Sequence, residues 1–373
     1  MPIWSPQQDD ALKASAAWLK DIGAGGGRRR LNQQVFRLFG YAGTGKTLLA
    51  RHLAEHVDGE VAFAAFTGKA ALMLRRRGAA SATTIHSLIY RPRGGEEEAP
   101  TFVINRDSAA AGAKLIIIDE CSMVDEELGR DLLSFGVPVL VLGDPAQLPP
   151  VKGGGFFTEH EPDMMLTEVH RQARDNPIIE MSMIVREGGV LAPGQYGDSR
   201  VISRRDLKAE DVLASDQVLV GRNKSRRAYN IRMRQLIGRW DWRPASGDKL
   251  VCLRNNRKKG LLNGGLWVVK EVGAPKRGQF ALRVAPEEKP DGKAIAVTVP
   301  PHCFDPEAGE VPYAAGRSGE AFDYGYALTV HKAQGSQWED VVLLDESFAF
   351  SEYRERWLYT GLTRAERKVT VAV

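Results

Sequence analysis

Gly40-Tyr41-Ala42-Gly43-Thr44-Gly45-Lys46-Thr47 fills every fixed position of a pattern made of glycine, four free residues, glycine, lysine and a hydroxyl residue. A β-prone run, Val35 to Phe39, leads into it, and a helix-prone run, Leu48 to His56, leads out. That context predicts an anion cradle, because the loop's N–H groups and the helix N-terminus then converge on one phosphate. In such a cradle Lys46 reaches the β- and γ-phosphates and the Thr47 hydroxyl ligates Mg²⁺. The glycines let the backbone approach the phosphates. The stretch reads as an ATP-binding P-loop, formed by Gly40, Ala42, Gly43, Thr44, Gly45, Lys46 and Thr47.

Working outward, Val61 to Phe66, Leu115 to Ile118 and Val137 to Leu142 are short apolar runs of the kind buried on both faces of a parallel sheet. Helical stretches separate them, so residues 35–142 predict a doubly wound α/β domain. The second run ends in Asp119-Glu120. Downstream of a P-loop, a carboxylate pair at a strand tip supplies a Mg²⁺ ligand, Asp119, and a base for the attacking water, Glu120. The third run leads into Gly143-Asp-Pro-Ala-Gln147-Leu-Pro-Pro150, where Gln147 is placed to sense a γ-phosphate or water and the prolines stiffen the loop.

Upstream, Ser5 and Pro6 make a helix start, with Gln7 and Gln8 in the first turn and the helix expected through Leu19. A glutamine amide matches the donor and acceptor edges of adenine. Thr67-Gly68-Lys69 follows a strand, at the ligand-bearing edge of such a sheet. Thr84-Ile85-His86-Ser87 suits a turn as well as a site. Residues 91–112 are turn-rich and charged around a short strand, Thr101 to Ile104, and predict an inserted hairpin.

In the second half, Gln217 to Val220 reads as a strand and Lys224 to Ile237 as a basic amphipathic helix. Lys249 to Leu253, Leu266 to Val272, Gln279 to Val284 and Ala294 to Val299 are closely spaced strands that suggest a small inserted barrel. Tyr324 onward is expected to resume the second α/β domain, with a strand Val341 to Leu344, a helix Arg354 to Thr363 and a closing strand Lys368 to Val373.

The chain's 373 residues, 43% of them hydrophobic, suffice for two or three domains. A formal charge of +4 is too mild to name a partner, but residues 200–259 hold 17 Lys and Arg against 6 Asp and Glu, an excess suited to a phosphate backbone. Cys121, Cys252 and Cys303 are odd in number and widely spaced, which suggests neither a disulfide framework nor a zinc site and points to a reducing cytosol. No apolar run is long enough to span a bilayer, so a cytoplasmic location without a membrane partner is expected.

Together these pieces resemble the superfamily 1 helicases, in the 5′-to-3′ branch (superfamily 1B) typified by the RecD-like and phage Dda-like DNA helicases. Gln8 in Ser5-x-x-Gln8 is similar to the adenine-reading Q motif, and residues 40–47 to motif I. Thr67 to Ala71 resembles motif Ia, with Thr84 to Ser87 similar to the DNA-contacting segment after it. Asp119-Glu120 resembles motif II, and Gly143 to Pro150 motif III. His170-Arg171-Gln172 is similar to the arginine-bearing motif IV, Thr329-Val-His331-Lys332-Ala-Gln334-Gly335-Ser336 to motif V, and Tyr359 to Ala365, with Arg364, to motif VI.

The resemblance implies two RecA-like domains, expected at 1–165 and 166–373, with ATP and Mg²⁺ at their interface. It further implies a 1B pin insertion at about 91–112 and an SH3-like β-barrel, 2B, at about 245–315. Catalytic roles fall to Lys46, Glu120, Gln147, Arg171 and Arg364, and nucleotide contacts to Gln8, the P-loop, Gln334 and Gly335. Thr67, Lys69, Thr84, His86, Ser87, Thr329, His331 and Lys332 would line a groove for single-stranded DNA. Phe102 is the candidate pin residue, with core packing as its alternative, and Trp338 a candidate stacking residue that serves equally as a core tryptophan. The implied activity is ATP-driven 5′-to-3′ translocation and unwinding at single-strand/duplex junctions by a monomer, with replication or recombination proteins as candidate partners. An ATP-switched single-strand-binding module and an RNA helicase of the same superfamily are the alternatives.

Overall fold

The computed structural model describes residues 4–24, 31–93, 101–149, 155–168, 176–256, 259–305 and 319–373. The chain divides into two compact units, Met1–Glu180 and Met181–Val373. In the first unit, β1 (Val35–Gly40), β2 (Val61–Ala65), β3 (Thr83–Thr84), β6 (Leu115–Asp119), β7 (Val139–Gly143) and β8 (Met164–Leu166) form one sheet in the order β3-β2-β6-β7-β1-β8. Every pairing in it is parallel. The division lies later than the expected 165/166, since Leu166 pairs with Gly40 and β8 therefore belongs to the first sheet.

The apolar runs follow from burial on both faces, since successive strand residues point opposite ways. Ile116, Ile118, Val139 and Val141 enter one core, together with Val35 and Phe39. Their neighbours Leu115, Ile117, Leu140 and Leu142 enter the other, with Phe36 and Leu38. The N-terminal helix, Pro6–Ala24, runs five residues past Leu19 and lays Ala11 into the second core. Between β3 and β6, β4 (Tyr90–Arg93) and β5 (Thr101–Ile104) form a separate antiparallel pair.

The second unit contains β9 (Gly194–Tyr196), β10 (Ser199–Ile202), β11 (Gln217–Val220), β12 (Lys249–Cys252), β13 (Leu266–Val272), β14 (Phe280–Pro286), β15 (Ile295–Val299), β16 (Phe322–Tyr324), β17 (Ala327–Thr329), β18 (Trp338–Leu344) and β19 (Ala365–Ala372). Its main sheet has the order β17-β11-β18-β19-β10-β9 and is parallel apart from the β9–β10 pair. The four strands expected between 247 and 299 form an antiparallel sheet, β15-β14-β13-β12-β16. Its fifth strand corrects the expected resumption of the α/β domain at Tyr324. Tyr324 pairs with Leu250, because Phe322 and Tyr324 alternate into the same core as Leu250, Cys252 and Trp267.

The basic excess over 200–259 also has a structural explanation. Arg226 pairs with Asp323 and Lys249 with Glu287, and Arg234 and Arg239 share the fully buried Asp248, which also accepts from the Tyr326 hydroxyl. Arg226 and Arg234 therefore tie the helix Asn223–Leu236 to the antiparallel sheet. Removing one partner of a buried pair leaves an uncompensated charge, so Asp248→Ala should destabilise the protein by about 3–5 kcal/mol. Glu126→Ala, which breaks an exposed pair with Arg130, should cost less than about 1 kcal/mol. Urea unfolding of both variants checks the contrast, and equal shifts would contradict the tie.

Candidate active site

Strands β6, β7 and β1 are neighbours and parallel, so their C-terminal ends meet at one sheet edge, where ligands bind in open α/β sheets. The end of β1 becomes the loop Tyr41–Gly45, and the helix Lys46–Glu55 leaves it. Gly45 has φ 83°, and a Cβ there would lie 2.9 Å from Gln8 Nε2, so this position requires glycine. The Lys46 ammonium donates to the carbonyls of Gly40 at 2.6 Å and Tyr41 at 2.9 Å, closing the loop with acceptors that a phosphate could replace.

Thr47 Oγ1 donates to Asp119 Oδ2 at 3.0 Å. A hydroxyl and a carboxylate oxygen this close are hard donors of the kind magnesium takes, so the residues fit the ion that the resemblance implies. Burial, and then the charge of Glu120, push the Asp119 carboxyl above the usual carboxylate range. The Thr47 hydroxyl, the Lys46 charge and the Glu120 N–H oppose that rise. Glu120 itself has φ 55°, a left-handed conformation that costs a non-glycine residue roughly 1–3 kcal/mol and characteristically marks a functional position.

Beyond β7, Asp144 orders the loop by accepting from Ala146 N at 3.0 Å, and its carbonyl accepts from Gln147 N at 3.1 Å. Gln147 is buried, and its Oε1 has no hydrogen-bond partner among the described residues. A buried orphan acceptor carries a desolvation penalty that a bound water would relieve.

Gln8 has a different immediate role from adenine reading. It accepts from Ser5 N at 3.0 Å while Ser5 Oγ accepts from Gln8 N at 3.3 Å, a capping box at the helix start. Its Nε2 donates to Thr44 O at 3.1 Å. Both ends of the amide are thus engaged, and the helix is fastened to the P-loop. Gln7 likewise binds Thr167 and Glu168.

The expected nucleic-acid residues repeat one local device. Thr67, Thr84 and Thr329 each cap a helix that leaves a strand end, accepting from Ala70 N, Ser87 N and Lys332 N at 3.1, 3.1 and 3.3 Å. The Thr84 hydroxyl also donates to Ser87 Oγ. The hydroxyls are therefore spent on positioning, and the ring they leave exposed in the first unit is that of His86. Lys69 is 8% exposed, buried in its helix rather than presented at the surface. His331 packs on Phe350 with ring centroids 5.2 Å apart, and burial lowers its pKa, so it is a neutral imidazole at pH 7. Lys332 Nζ donates to Asn263 Oδ1 at 3.3 Å.

Phe102 is 55% exposed on β5, opposite Pro92. Trp338, by contrast, is 7% exposed, which corrects its reading as a stacking platform. It begins β18 and pairs with Ala365, inside the sheet. Gln334 is buried and Gly335 has φ 72°. Arg364, also buried, donates to Thr360 O, Ser336 O and Thr363 Oγ1 at 3.1, 3.2 and 3.3 Å, so it is held within motifs V and VI. His170, Arg171 and Gln172 lie outside the described residues.

Sequence reasoning missed Glu346. Its buried carboxylate follows β18 and binds Gly221, Arg222 and Ser225, and those contacts hold its pKa below the usual range against the burial that would raise it. The signal was present in the form already used for Asp119, an apolar strand ending in acids.

A parallel sheet with a P-loop and a carboxylate pair at the neighbouring end of β6 define a P-loop NTPase fold. A family model described as an AAA domain matches residues 29–206, and one described as a UvrD-like helicase C-terminal domain matches 324–372. The chain is 30% identical to the ATP-dependent RecD2 DNA helicase of Deinococcus radiodurans over 368 residues, covering 88% of this chain and 45% of that one. It is 30% identical to the ATP-dependent DNA helicase dda of Enterobacteria phage T4 over 227 residues, covering 53% and 51%. A Bacteroides Pif1 structure bound to ssDNA matches in fold with a TM-score of 0.58 at 18% identity, covering 99% of this chain and 92% of that one. The chain is similar to helicases of superfamily 1B, on their RecD-like and Dda-like side. It spans about half the length of the RecD2 and dda proteins.

Lys46→Ala removes the charge facing the phosphates without opening a core cavity, so turnover of ATP should vanish while the thermal midpoint stays near wild type. Glu120→Gln should keep ATP affinity and lose hydrolysis, since an amide cannot accept the water's proton. Steady-state hydrolysis and equilibrium nucleotide binding measured on both variants decide this. Loss of ATP affinity in Glu120→Gln would make that residue a ligand rather than the base.

Proposed function

We propose that the protein is an ATP-dependent 5′-to-3′ DNA helicase and translocase, coupling ATP hydrolysis to stepping on single-stranded DNA. The observation that carries the reading is the constellation of Lys46, Thr47, Asp119, Glu120 and Gln147 at one sheet edge, in a chain similar to superfamily 1B helicases. Thr47 and Asp119 are the residues that would hold Mg²⁺, which would supply charge neutralisation for the phosphates. Lys46 exchanges its two carbonyl acceptors for phosphate oxygens. Gln147 orients the attacking water through its Oε1, and Glu120 accepts its proton as the water bonds to the γ-phosphorus and the β,γ-bridging P–O bond breaks to release ADP. Arg171 and Arg364 are assigned, on the resemblance, to charge that develops in the transition state.

The finer architecture is part of the same reading. The β4–β5 pair serves as the 1B pin, and the antiparallel sheet β12–β16 as an SH3-like 2B insertion. A separating pin must be rigid, and the roots of this one are tied down. Tyr90 Oη donates to Asp131 Oδ2 at 2.5 Å, and Arg106 donates to Ser134 O at 2.8 Å with its guanidinium 5.0 Å from the Phe135 ring centroid. Both anchors lie on or just after the helix Glu126–Leu133, six residues downstream of Glu120. Phe102 is then the wedge presented to the duplex. His86, Ser87, Thr329, His331 and Lys332 contact phosphates and sugars, which makes binding sequence-tolerant and salt-sensitive. Replication or recombination proteins are the partners such an activity would serve.

Unwinding of duplexes carrying a 5′ or a 3′ single-stranded tail, with an RNA-tailed control, tests the function. Unwinding from the 5′ DNA tail is expected. Binding without unwinding would select the ATP-switched module, and preference for the RNA tail would select the RNA helicase. In the same assay Phe102→Ala should unwind at least about tenfold more slowly while DNA-stimulated ATPase persists, because the wedge acts on the duplex and not on the phosphates. Unchanged unwinding would remove Phe102 from that role.

A further inference from the structure

Three adjacent parallel strands of the second unit, β17, β11 and β18, deliver their C-terminal ends to one sheet edge. The first end carries Thr329, His331 and Lys332. The second carries Gly221 and Arg222, and the third leads to Glu346, Phe348 and Phe350. The nucleic-acid residues expected from sequence account for the first of these ends alone.

The other two are joined by a clamp. Glu346 Oε2 accepts from Gly221 N at 2.9 Å and Arg222 N at 3.0 Å, while Oε1 accepts from Arg222 Nε at 3.1 Å and Nη2 at 2.7 Å. A carboxylate that is 1% exposed therefore fixes both the backbone and the guanidinium of Arg222. The approach is close, since a Cβ on Gly221 would lie 2.8 Å from Glu346 Cβ and 2.9 Å from the Phe350 ring. Phe350 fills the space beneath, stacked on Trp357 at 5.7 Å and touching His331. Two residues earlier, Phe348 faces outward and is 60% exposed, with the Arg222 guanidinium 5.2 Å from its ring centroid. Arg222 Nη1 makes no hydrogen bond to the described residues, so it retains donors for an anion.

We propose that Phe348 and Arg222 form a shelf on which one base of a single strand stacks, Arg222 Nη1 meeting the adjoining phosphate. A lone exposed phenylalanine needs no explanation. One set against a guanidinium that a buried carboxylate holds in place is a pre-ordered pair of planar groups, of the kind on which unpaired bases stack without regard to sequence. Continuity along the edge with His331 and Lys332 specifies a nucleic-acid strand as the occupant. The shelf supplies what Trp338, buried in the sheet, does not. This proposal rests on the reading that the protein grips single strands.

Fluorescence anisotropy with labelled oligothymidylate and an abasic oligonucleotide of equal length tests it, on wild type and on Phe348→Ala, Phe348→Leu and Phe348→Trp. Thermal melting confirms that each variant is folded, and little change is expected at so exposed a position. Stacking predicts that Phe348→Ala and Phe348→Leu bind oligothymidylate about tenfold more weakly, with abasic binding unchanged and Phe348→Trp near wild type. Wild-type affinity for oligothymidylate in Phe348→Ala, or equal losses on both oligonucleotides, would overturn the shelf and leave the helicase reading standing. Wild-type protein that binds neither oligonucleotide would overturn both.

Discussion

The hydrogen bond from Thr47 to Asp119 joins the first residues of the P-loop helix to the tip of β6, and the rest of the first unit is arranged so that those two atoms meet. A phosphate-binding loop is useful only if a carboxylate stands beside it, yet a carboxylate at a buried strand end resists ionisation. The sheet accommodates both demands by setting β6, β7 and β1 side by side in parallel, with apolar residues on both faces and polar groups confined to the edge. Lys46 and the Glu120 N–H oppose the burial of Asp119, and a dication would complete the compensation. The strained backbone of Glu120 belongs to the same compromise, since two consecutive acids must leave one strand end without sharing one environment.

The second unit uses the same logic for a different purpose. Its strand ends also carry a threonine cap and a carboxylate, but Glu346 binds N–H groups and a guanidinium where Asp119 binds a hydroxyl. That choice makes one carboxylate a structural clamp and leaves the other open to a metal. Asp248 shows a third use, a fully buried acid that gathers two arginines and a tyrosine between the helix Asn223–Leu236 and the antiparallel sheet. Each acid is placed by local backbone, and its partners decide its role.

The legible part of this design was the part written in short-range pattern. Residues 40–47 and Asp119-Glu120 carry their chemistry in spacing, and the apolar runs of β1, β6 and β7 announce a parallel sheet because nothing else buries both faces of a strand. What the residues alone could not reveal depends on partners distant in sequence. Gln8 looked like a base reader, and only the fold brings Thr44 to its amide. Trp338 had two readings, and burial in β18 decides between them. The charge of 200–259 looked available for phosphate, while Glu346 and Asp323, which pair with Arg222 and Arg226, lie 124 and 97 residues away. Phe348 carried no motif, and its significance comes from Arg222, which follows the neighbouring strand β11.

Calorimetric titration of ATP into the protein, first with magnesium and then with excess EDTA, on wild type and Asp119→Asn, tests the Thr47–Asp119 site most directly. Wild type should bind ATP tightly with magnesium and much more weakly with EDTA, while Asp119→Asn should bind with the weaker affinity in both. Magnesium-independent ATP binding by wild type, or a magnesium effect that survives intact in Asp119→Asn, would contradict the assignment of that pair to the metal.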